Sequence, residues 1–372
     1  MGLASSSQPG AIGYGIIGCG WVSPSHAVGV RALAGDGVRL VAVADADAER
    51  AHDLAKRYGS PEVHDDYLEL LARDDVDAVS ICLPDHLHRD AAVGAAQAGK
   101  HVLCEKPLAL DLDQAAEMVE AFEVRDLNLG MVMNHRFVPD NIRVHRAVRD
   151  GAIGRILMAG VVHSSALTGN DDYSSPWRGR RGRAAGGILA TQAIHFLDLL
   201  LWFAGPVAAV KAWTETLVRT ELDYEDTVAL ALKLASGALA TLVTTNGTPI
   251  MDDLSGTRIE LHGSEGYFVL EGDELRDHAV GDGYDLPDID LPLPPAEADA
   301  LFGLGHIYEI AEFVRSIRDG TAPPVPAVDG AHLMAVLSAA YSSAREDREL
   351  PVLEFGDAYG ASSAPSRTEA HA

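Results

Sequence analysis

Two stretches of this 372-residue chain place reactive side chains where a buried element has no packing use for them. The first is "HVLCEKPLAL", residues 101–110. The apolar run from His101 to Cys104 reads as a buried strand, yet it ends in Glu105, Lys106 and Pro107: a charged pair, then a residue that fixes the backbone. The second is "GGILATQAIHFLDLLLWFAGP", residues 186–206, an almost wholly apolar helix that Gly205 and Pro206 should stop. Its polar exceptions are Thr191, Gln192, His195 and Asp198. Positions 191, 195 and 198 are spaced by four and three, so they share a face. Polar groups in a buried helix either hydrogen-bond internally or line a cavity, because an unsatisfied one costs about 1–3 kcal/mol. Thr191, one turn before His195, favours the cavity; Asp198 either buttresses His195 or caps structure. A histidine and a lysine in one cavity could move a proton and hold a developing negative charge.

The elements that must position these groups follow a recognisable grammar in the first half. Residues 12–18 form a short apolar strand that leads into "GCGWVS". Gly18 and Gly20 match the first two glycines of G-x-G-x-x-G, and Ser23 takes the third place. Gly18 permits the tight turn and Gly20 lets a pyrophosphate approach the backbone. The loop residues Trp21 and Val22 lead into a helix whose N-terminal amides would face the phosphates. A second strand, residues 38–45, ends in Asp45, which can accept hydrogen bonds from the adenosine ribose hydroxyls. Ala46 follows, so a 2′-phosphate would meet a carboxylate and no cation, and NAD is favoured over NADP. Helices at 47–58, 89–99 and 111–125 then alternate with strands at 77–84, 100–107 and 128–134. This alternation implies a parallel, doubly wound sheet. Its strand ends carry three polar clusters, "PDHLH" (84–88, with Pro84 and His88), "EKP" (105–107) and "NHRF" (134–137, with Arg136), all expected to face the cofactor crevice.

After residue 150 the pattern changes. Strand-like runs at 154–166, 208–218, 226–246 and 257–272, with hairpin turns at "ASG" and "GSEG", predict a largely antiparallel sheet with few helices. One face of that sheet needs cover and is expected to form a subunit interface. The segment "SPWRGRRGR" (175–183) concentrates arginine in an acidic chain. Three of its four arginines read as solvated, and Arg178 beside Trp177 is the candidate to grip a substrate oxygen or anionic group. Residues 281–300 read as an irregular acidic, proline-rich excursion, and 307–320 as a helix capped by Gly320. The division expected is 11–134 for the dinucleotide domain and 135–355 for the substrate and oligomerisation domain, with disordered tails at 1–10 and 356–372.

Bulk properties exclude other classes. Lys and Arg number 29 against 55 Asp and Glu, a net charge of −26 that repels nucleic acid and acidic membranes. No apolar run is long enough to span a bilayer, and residues 1–10 lack the basic start and apolar core of a secretory signal. The three cysteines, Cys19, Cys82 and Cys104, are odd in number and far apart. They fit a reducing cytoplasm, with neither a disulfide framework nor a metal site.

Taken together, "GCGWVS", "PDHLHRDAAVGAAQAGKHVLCEKPLAL", "GGILATQAIHFLDLLLW" and "GHIYEIAEFVRSIRDGTAPP" resemble the glucose–fructose oxidoreductase / inositol dehydrogenase (Gfo/Idh/MocA) family over about residues 11–355. The resemblance implies a Rossmann domain plus an α/β domain with a large open sheet that mediates dimers or tetramers. It implies NAD(P)-dependent oxidation of a sugar or cyclitol hydroxyl, or its reversal. By this resemblance Lys106 is the active-site lysine, His195 the proton acceptor, His88 a histidine near the cofactor, and Glu105 part of the cofactor-side motif. Position 191 is often Asp or Asn in the family and is Thr191 here, which puts a carboxylate–histidine relay in doubt and leaves a hydroxyl expected to hydrogen-bond the substrate. Two other readings stay open: a nucleotide-sugar dehydrogenase or ketoreductase whose arginines grip a diphosphate, and a non-catalytic NAD- or sugar-sensing protein.

Overall fold

The computed structural model describes residues 10–59, 62–166, 177–248, 256–289, 291 and 304–353. The tails expected to be disordered lie, apart from Gly10, outside the described residues, as do most of the excursion after 289 and residues 175–176 of the arginine segment.

The first half builds β1 (Ile12–Ile17), α1 (Ser23–Ala32), β2 (Val38–Ala44), α2 (Ala48–Tyr58), β3 (Glu62–His64), α3 (Tyr67–Leu71), β4 (Ala78–Ile81), α4 (Asp85–Gln97), β5 (His101–Cys104), α5 (Leu112–Glu123) and β6 (Leu129–Met131). The strands pair in parallel in the order β3-β2-β1-β4-β5-β6. Both faces are covered, so β1 and β4 are buried along their whole length, as continuous apolar runs require. The strand order reverses between β1 and β4, which opens the ligand crevice at their carboxyl ends. Gly18 turns there with φ +91, and a β-carbon on it would lie 2.5 Å from the Cys82 carbonyl oxygen. The two strands are therefore as close at this point as backbone allows. β3 and α3 were not anticipated from the sequence; they are too short to carry a period.

A 3₁₀ turn at Asn134–Phe137 leads to α6 (Pro139–Arg149), β7 (Ile156–Ser164), α7 (Ile188–Thr191), α8 (Ala193–Ala204), β8 (Val207–Glu215), β9 (Thr227–Leu234), β10 (Leu239–Thr245), β11 (Thr257–Gly263), β12 (Tyr267–Glu271), β13 (Glu274–Ala279), α9 (Gly305–Asp319), α10 (Ala327–Glu346) and β14 (Leu350–Pro351). The eight-stranded second sheet has the order β13-β12-β11-β7-β10-β9-β8-β14, parallel only between β7 and β10. Its inner face buries Ala159, Val161, Leu230, Leu232, Ala240 and Leu242, and the outer face is exposed, so the strands alternate with period two. The predicted hairpins at "ASG" and "GSEG" join β9 to β10 and β11 to β12. No helix among the described residues is long and apolar enough to cross a membrane.

Two expectations need correction. Residues 186–206 do not form one helix. The chain breaks at Gln192 (φ −122, ψ −53), and the His195 amide bonds the Gln192 carbonyl three residues back rather than that of Thr191. Of the two readings of Asp198 the structural one holds, since it meets Arg136 rather than His195, and Arg136 is buried in the core instead of lining the crevice. The Arg136 guanidinium makes a two-pronged pair with Asp198, Nε to Oδ2 at 2.7 Å and Nη2 to Oδ1 at 2.6 Å, and adds a third bond to Asp329 Oδ2 at 2.9 Å. Asp198 and Arg136 are 1% and 8% exposed, so this pair is a fastener among the 3₁₀ turn, α8 and α10. The apolar neighbours of Asp198 leave it no alternative partner once Arg136 is buried beside it.

Substituting Asp198→Ala leaves Arg136 buried beside an emptied partner position, and unfolding stability should fall by about 3 kcal/mol in chemical denaturation. An unchanged midpoint would remove the fastener role. Substituting Gly18→Ala forces the turn against Cys82 at a positive φ. It should cost about 2 kcal/mol or more of stability and weaken NADH binding measured by fluorescence; wild-type values for both would show that the turn is looser than described.

Candidate active site

Strand β5 delivers Lys106 to the crevice. The side chain of this lysine crosses to the second domain, where Nζ donates a 2.7 Å hydrogen bond to the Thr191 carbonyl. That carbonyl is available because the break at Gln192 releases it from the helical ladder. The Lys106–Pro107 peptide is cis. Thr191 was expected to offer its hydroxyl to a substrate; instead the hydroxyl donates to the Gly187 carbonyl at 2.8 Å, and its contribution to the site is the backbone oxygen.

Glu105 lies behind the lysine and is 6% exposed, too deep to touch a cofactor, which corrects the expectation that it would. Its Oε1 is 3.0 Å from His26 Nε2 and 3.7 Å from His306 Nε2, and its Oε2 accepts the Lys106 amide at 3.2 Å. A carboxylate can only accept, so His26 carries its proton on Nε2 and takes a hydrogen bond at Nδ1 from Ser80 Oγ, 2.8 Å away; Ser80 Oγ in turn lies 2.9 Å from the Tyr14 hydroxyl. Burial opposes the charge on Glu105, but the hydrogen bonds from His26 and His306 outweigh it and hold the carboxyl well below the usual carboxylate range. The donor atoms of His26, Glu105 and His306 lie within 4.8 Å of one another, a spacing that could also hold a metal ion.

His195 is half-buried on α8. Burial, then the nearby Lys106 and His135, push its pKa well below the ordinary histidine value, so at neutral pH it is an uncharged acceptor. Its Nδ1 is buried without a hydrogen bond. His88 is fully buried, with Nδ1 2.9 Å from the Pro107 carbonyl and Nε2 2.8 Å from that of Leu83. Two carbonyls require two N–H donors. Burial opposes the charge, but Cys104, Asp85 and the Leu83 carbonyl push the pKa up to about 10. His88 is thus a clamp between the β4–α4 and β5–α5 turns, with no nitrogen left for a cofactor. Trp177 and Arg178 are half-buried, the guanidinium 4.8 Å above the indole. Burial pushes the pKa of Asp85 up, and His88, the Ala185 amide, Lys106 and Arg178 work against that shift. Arg180 pairs with Asp223, and Arg181 lies over Tyr224.

On the cofactor side, Gly20 has open space where a β-carbon would be, as a backbone meant to touch a ligand requires. Val22 precedes α1, and Trp21 is half exposed at the lip of a cleft of about 510 Å³ shared with Gly20, Arg50, Asp53 and Tyr58. Asp45 Oδ2 accepts the Cys19 amide at 2.7 Å and Oδ1 the Asp47 amide at 2.8 Å. The acid therefore shapes the glycine loop, and each oxygen keeps a lone pair for a ribose hydroxyl. Arg50 is paired with Asp47. Pro84 caps the start of α4 at the end of β4. These residues fit a dinucleotide: a turn, an open backbone, a helix N-terminus and an acid at the second strand end. A separate cavity of about 680 Å³, lined by Arg136, Arg146, Trp202, Tyr308 and Arg315, does not include Lys106 or His195.

Sequence reasoning missed His26, His306 and His135. His26 lies three residues beyond the glycine motif, and both it and His306 are far in sequence from their partner carboxylate Glu105, so no spacing links them. For His135 a signal existed: in a 3₁₀ turn adjacent residues point apart, so only one of His135 and Arg136 could face the crevice.

Residues 12–132 match the oxidoreductase family with an NAD-binding Rossmann fold, and residues 142–269 match the GFO/IDH/MocA C-terminal domain. The chain is 30% identical over 348 residues to inositol 2-dehydrogenase of Rhizobium meliloti (strain 1021), covering 91% of this chain and 98% of that protein. It is 31% identical over 346 residues to D-apiose dehydrogenase of Paraburkholderia graminis, covering 91% and 90%. Among solved structures, levoglucosan dehydrogenase in complex with NADH and levoglucosan superposes with a TM-score of 0.83 at 24% identity, covering 92% of this chain and 100% of that one, a likeness of fold. The WlbA dehydrogenase from Bordetella pertussis, in complex with NADH and UDP-GlcNAcA, gives 0.81 at 27%, covering 92% and 98%. With its NAD-binding Rossmann domain and its second sheet, the chain belongs to the Gfo/Idh/MocA oxidoreductase family.

Proposed function

We propose that this protein is an NAD-dependent dehydrogenase acting on a secondary hydroxyl of a sugar or cyclitol ring. The observation that carries the reading is the bond from Lys106 Nζ to the Thr191 carbonyl, which brings the lysine within one helical turn of His195 at the mouth of the NAD-binding sheet. A substrate hydroxyl between the two meets an acceptor and a cation. His195, uncharged at neutral pH, takes the hydroxyl proton. Lys106 donates to the same oxygen and stabilises the negative charge that grows there. NAD, when bound, supplies the hydride acceptor. Asp45, with Ala46 beside it and Arg50 engaged by Asp47, favours NAD over NADP. Buried Glu105 offsets the charge of Lys106 from behind.

A second reading is a nucleotide-sugar dehydrogenase, favoured by Arg178 stacked on Trp177 at the crevice. Competition by free UDP separates it from action on an uncharged sugar. A panel of sugars and cyclitols, followed by NADH formation, decides between an enzyme and a sensor; NAD binding without turnover on any of them would favour the sensor. With a substrate in hand, Lys106→Ala should lower kcat by about 10²-fold or more while NADH still binds, because it removes the charge that stabilises the transition state. Near-wild-type turnover would overturn the assignment.

The outer face of the second sheet supports self-association. Trp213, Ala229, Val243 and Val162 follow one another in register across β8, β9, β10 and β7, with Leu239 beside Met158 two pairs along. Five of these, Trp213, Val243, Val162, Leu239 and Met158, are 45–62% exposed in the single chain. A second copy covers this row. Val243→Glu should convert the assembly to monomers in light scattering; a wild type that is already monomeric would remove this part of the reading.

A further inference from the structure

A carboxylate is bonded to the histidine next to His195, and it comes from neither position 191 nor position 198. The 3₁₀ turn that sends Arg136 into the core turns His135 the other way. The His135 ring lies 5.0 Å from that of His195, tilted by 55°. Its Nδ1 is 2.9 and 3.0 Å from the two oxygens of Asp273, in the turn between β12 and β13. Asn141 on α6 fixes this contact, its Nδ2 donating to Asp273 Oδ1 and to the His135 carbonyl, each at 2.8 Å. Because a carboxylate only accepts, the Nδ1 of His135 carries the hydrogen. The side chains of His135 and Asp273 are each 15% exposed, so their charge is only partly screened.

We propose that His195, His135 and Asp273 act as one proton-accepting unit, in which Asp273, through His135, takes the place of the acid missing at position 191. This rests on the dehydrogenase reading above. As the substrate O–H bond breaks, its proton passes to His195. The C–H bond breaks with its electron pair, which leaves as hydride to the nicotinamide, and the carbonyl forms. The positive charge gained by His195 is balanced by Asp273 across the His135 ring, and the proton returns to water after turnover.

The surroundings leave this role to Asp273. His195 faces Lys106 and Glu105 from the β5–α5 turn, His306 from α9 and His135 from the 3₁₀ turn. Lys106, His306 and His135 all oppose a positive charge on it, and Glu105 is engaged by His26 and His306. His135 in turn faces His163 on β7, His306 on α9 and Asp198 on α8. Asp198 is spent on Arg136. His195 Nδ1 has no hydrogen bond of its own, so nothing on α8 stabilises the protonated ring.

The test is Asp273→Asn, which keeps the shape and removes the charge. On a substrate found by the panel, the plateau of kcat/KM should fall about tenfold or more. Its acid limb should move to lower pH, because without the anion the histidines release their proton more readily. Asp273→Glu should recover part of both, and NADH affinity should stay constant throughout. A readout that needs no substrate is the NMR titration of the His195 and His135 imidazoles in the NADH-bound protein. Both should titrate lower in Asp273→Asn, and His195 should also respond to His135→Gln, a second variant that leaves Asp273 bonded to Asn141. If His195 titrates identically in wild type and both variants, the unit does not exist. If the titrations shift but no sugar is turned over, the coupled unit stands and the dehydrogenase reading fails.

Discussion

The hydrogen bond from the Lys106 ammonium to the Thr191 carbonyl joins the two halves of the site, and most of the local architecture serves it. An unbroken helix through residues 186–206 would have bonded that carbonyl to the His195 amide. The break at Gln192 releases it, and the start of α7 is held by a different anchor. The Glu225 carboxylate accepts the amides of Gly187 and Leu189 at 3.3 and 3.2 Å, and the Tyr341 hydroxyl donates to it at 2.9 Å. Burial pushes the Glu225 pKa up, and those hydrogen bonds work against the shift. The short helix is thus pinned at its start by a carboxylate and at its end by an ammonium, with His195 one turn further on.

Around this bond three buried charges are each met by two partners, as low dielectric demands. Glu105 is met by two histidines, Arg136 by two aspartates, and His88 by two carbonyls. The chain carries −26 overall, yet Lys106 and Arg178 both lie near enough to buried Asp85 to favour its charge. Long-range attraction for an anionic ligand is therefore poor, and recognition depends on these local groups at close range.

Much of the frame was legible because it is written in backbone requirements. Gly18 is dictated by a positive φ and a neighbouring carbonyl, the parallel strands by uninterrupted apolar runs, and the outer sheet by alternation. Lys106 and His195 were legible as polar groups in apolar surroundings. The direction of a side chain was not. Thr191 shares a helical stripe with His195 and Asp198 only if the helix is continuous, and the kink at Gln192 breaks that phase. Arg136 and His135 are adjacent and face opposite ways. The cluster of His26, Glu105 and His306 joins α1, the end of β5 and α9, positions far apart in the chain, so no local pattern announces it.

Helix α9 has a consequence for how the chain can be divided. It follows the whole second sheet in sequence, yet Ile310, Phe313 and Val314 pack with Ile12, Tyr14, Val30, Val38 and Leu103 in one apolar cluster of the first sheet. β6 is likewise tied forward, the Met131 amide bonding the Val325 carbonyl. An excised fragment ending near residue 134 would contain every strand of the dinucleotide sheet and still lack one of the layers that keep water off it. The layer over the nucleotide half is therefore completed only by chain some 170 residues further on, a separation set by the start of α9 at Gly305.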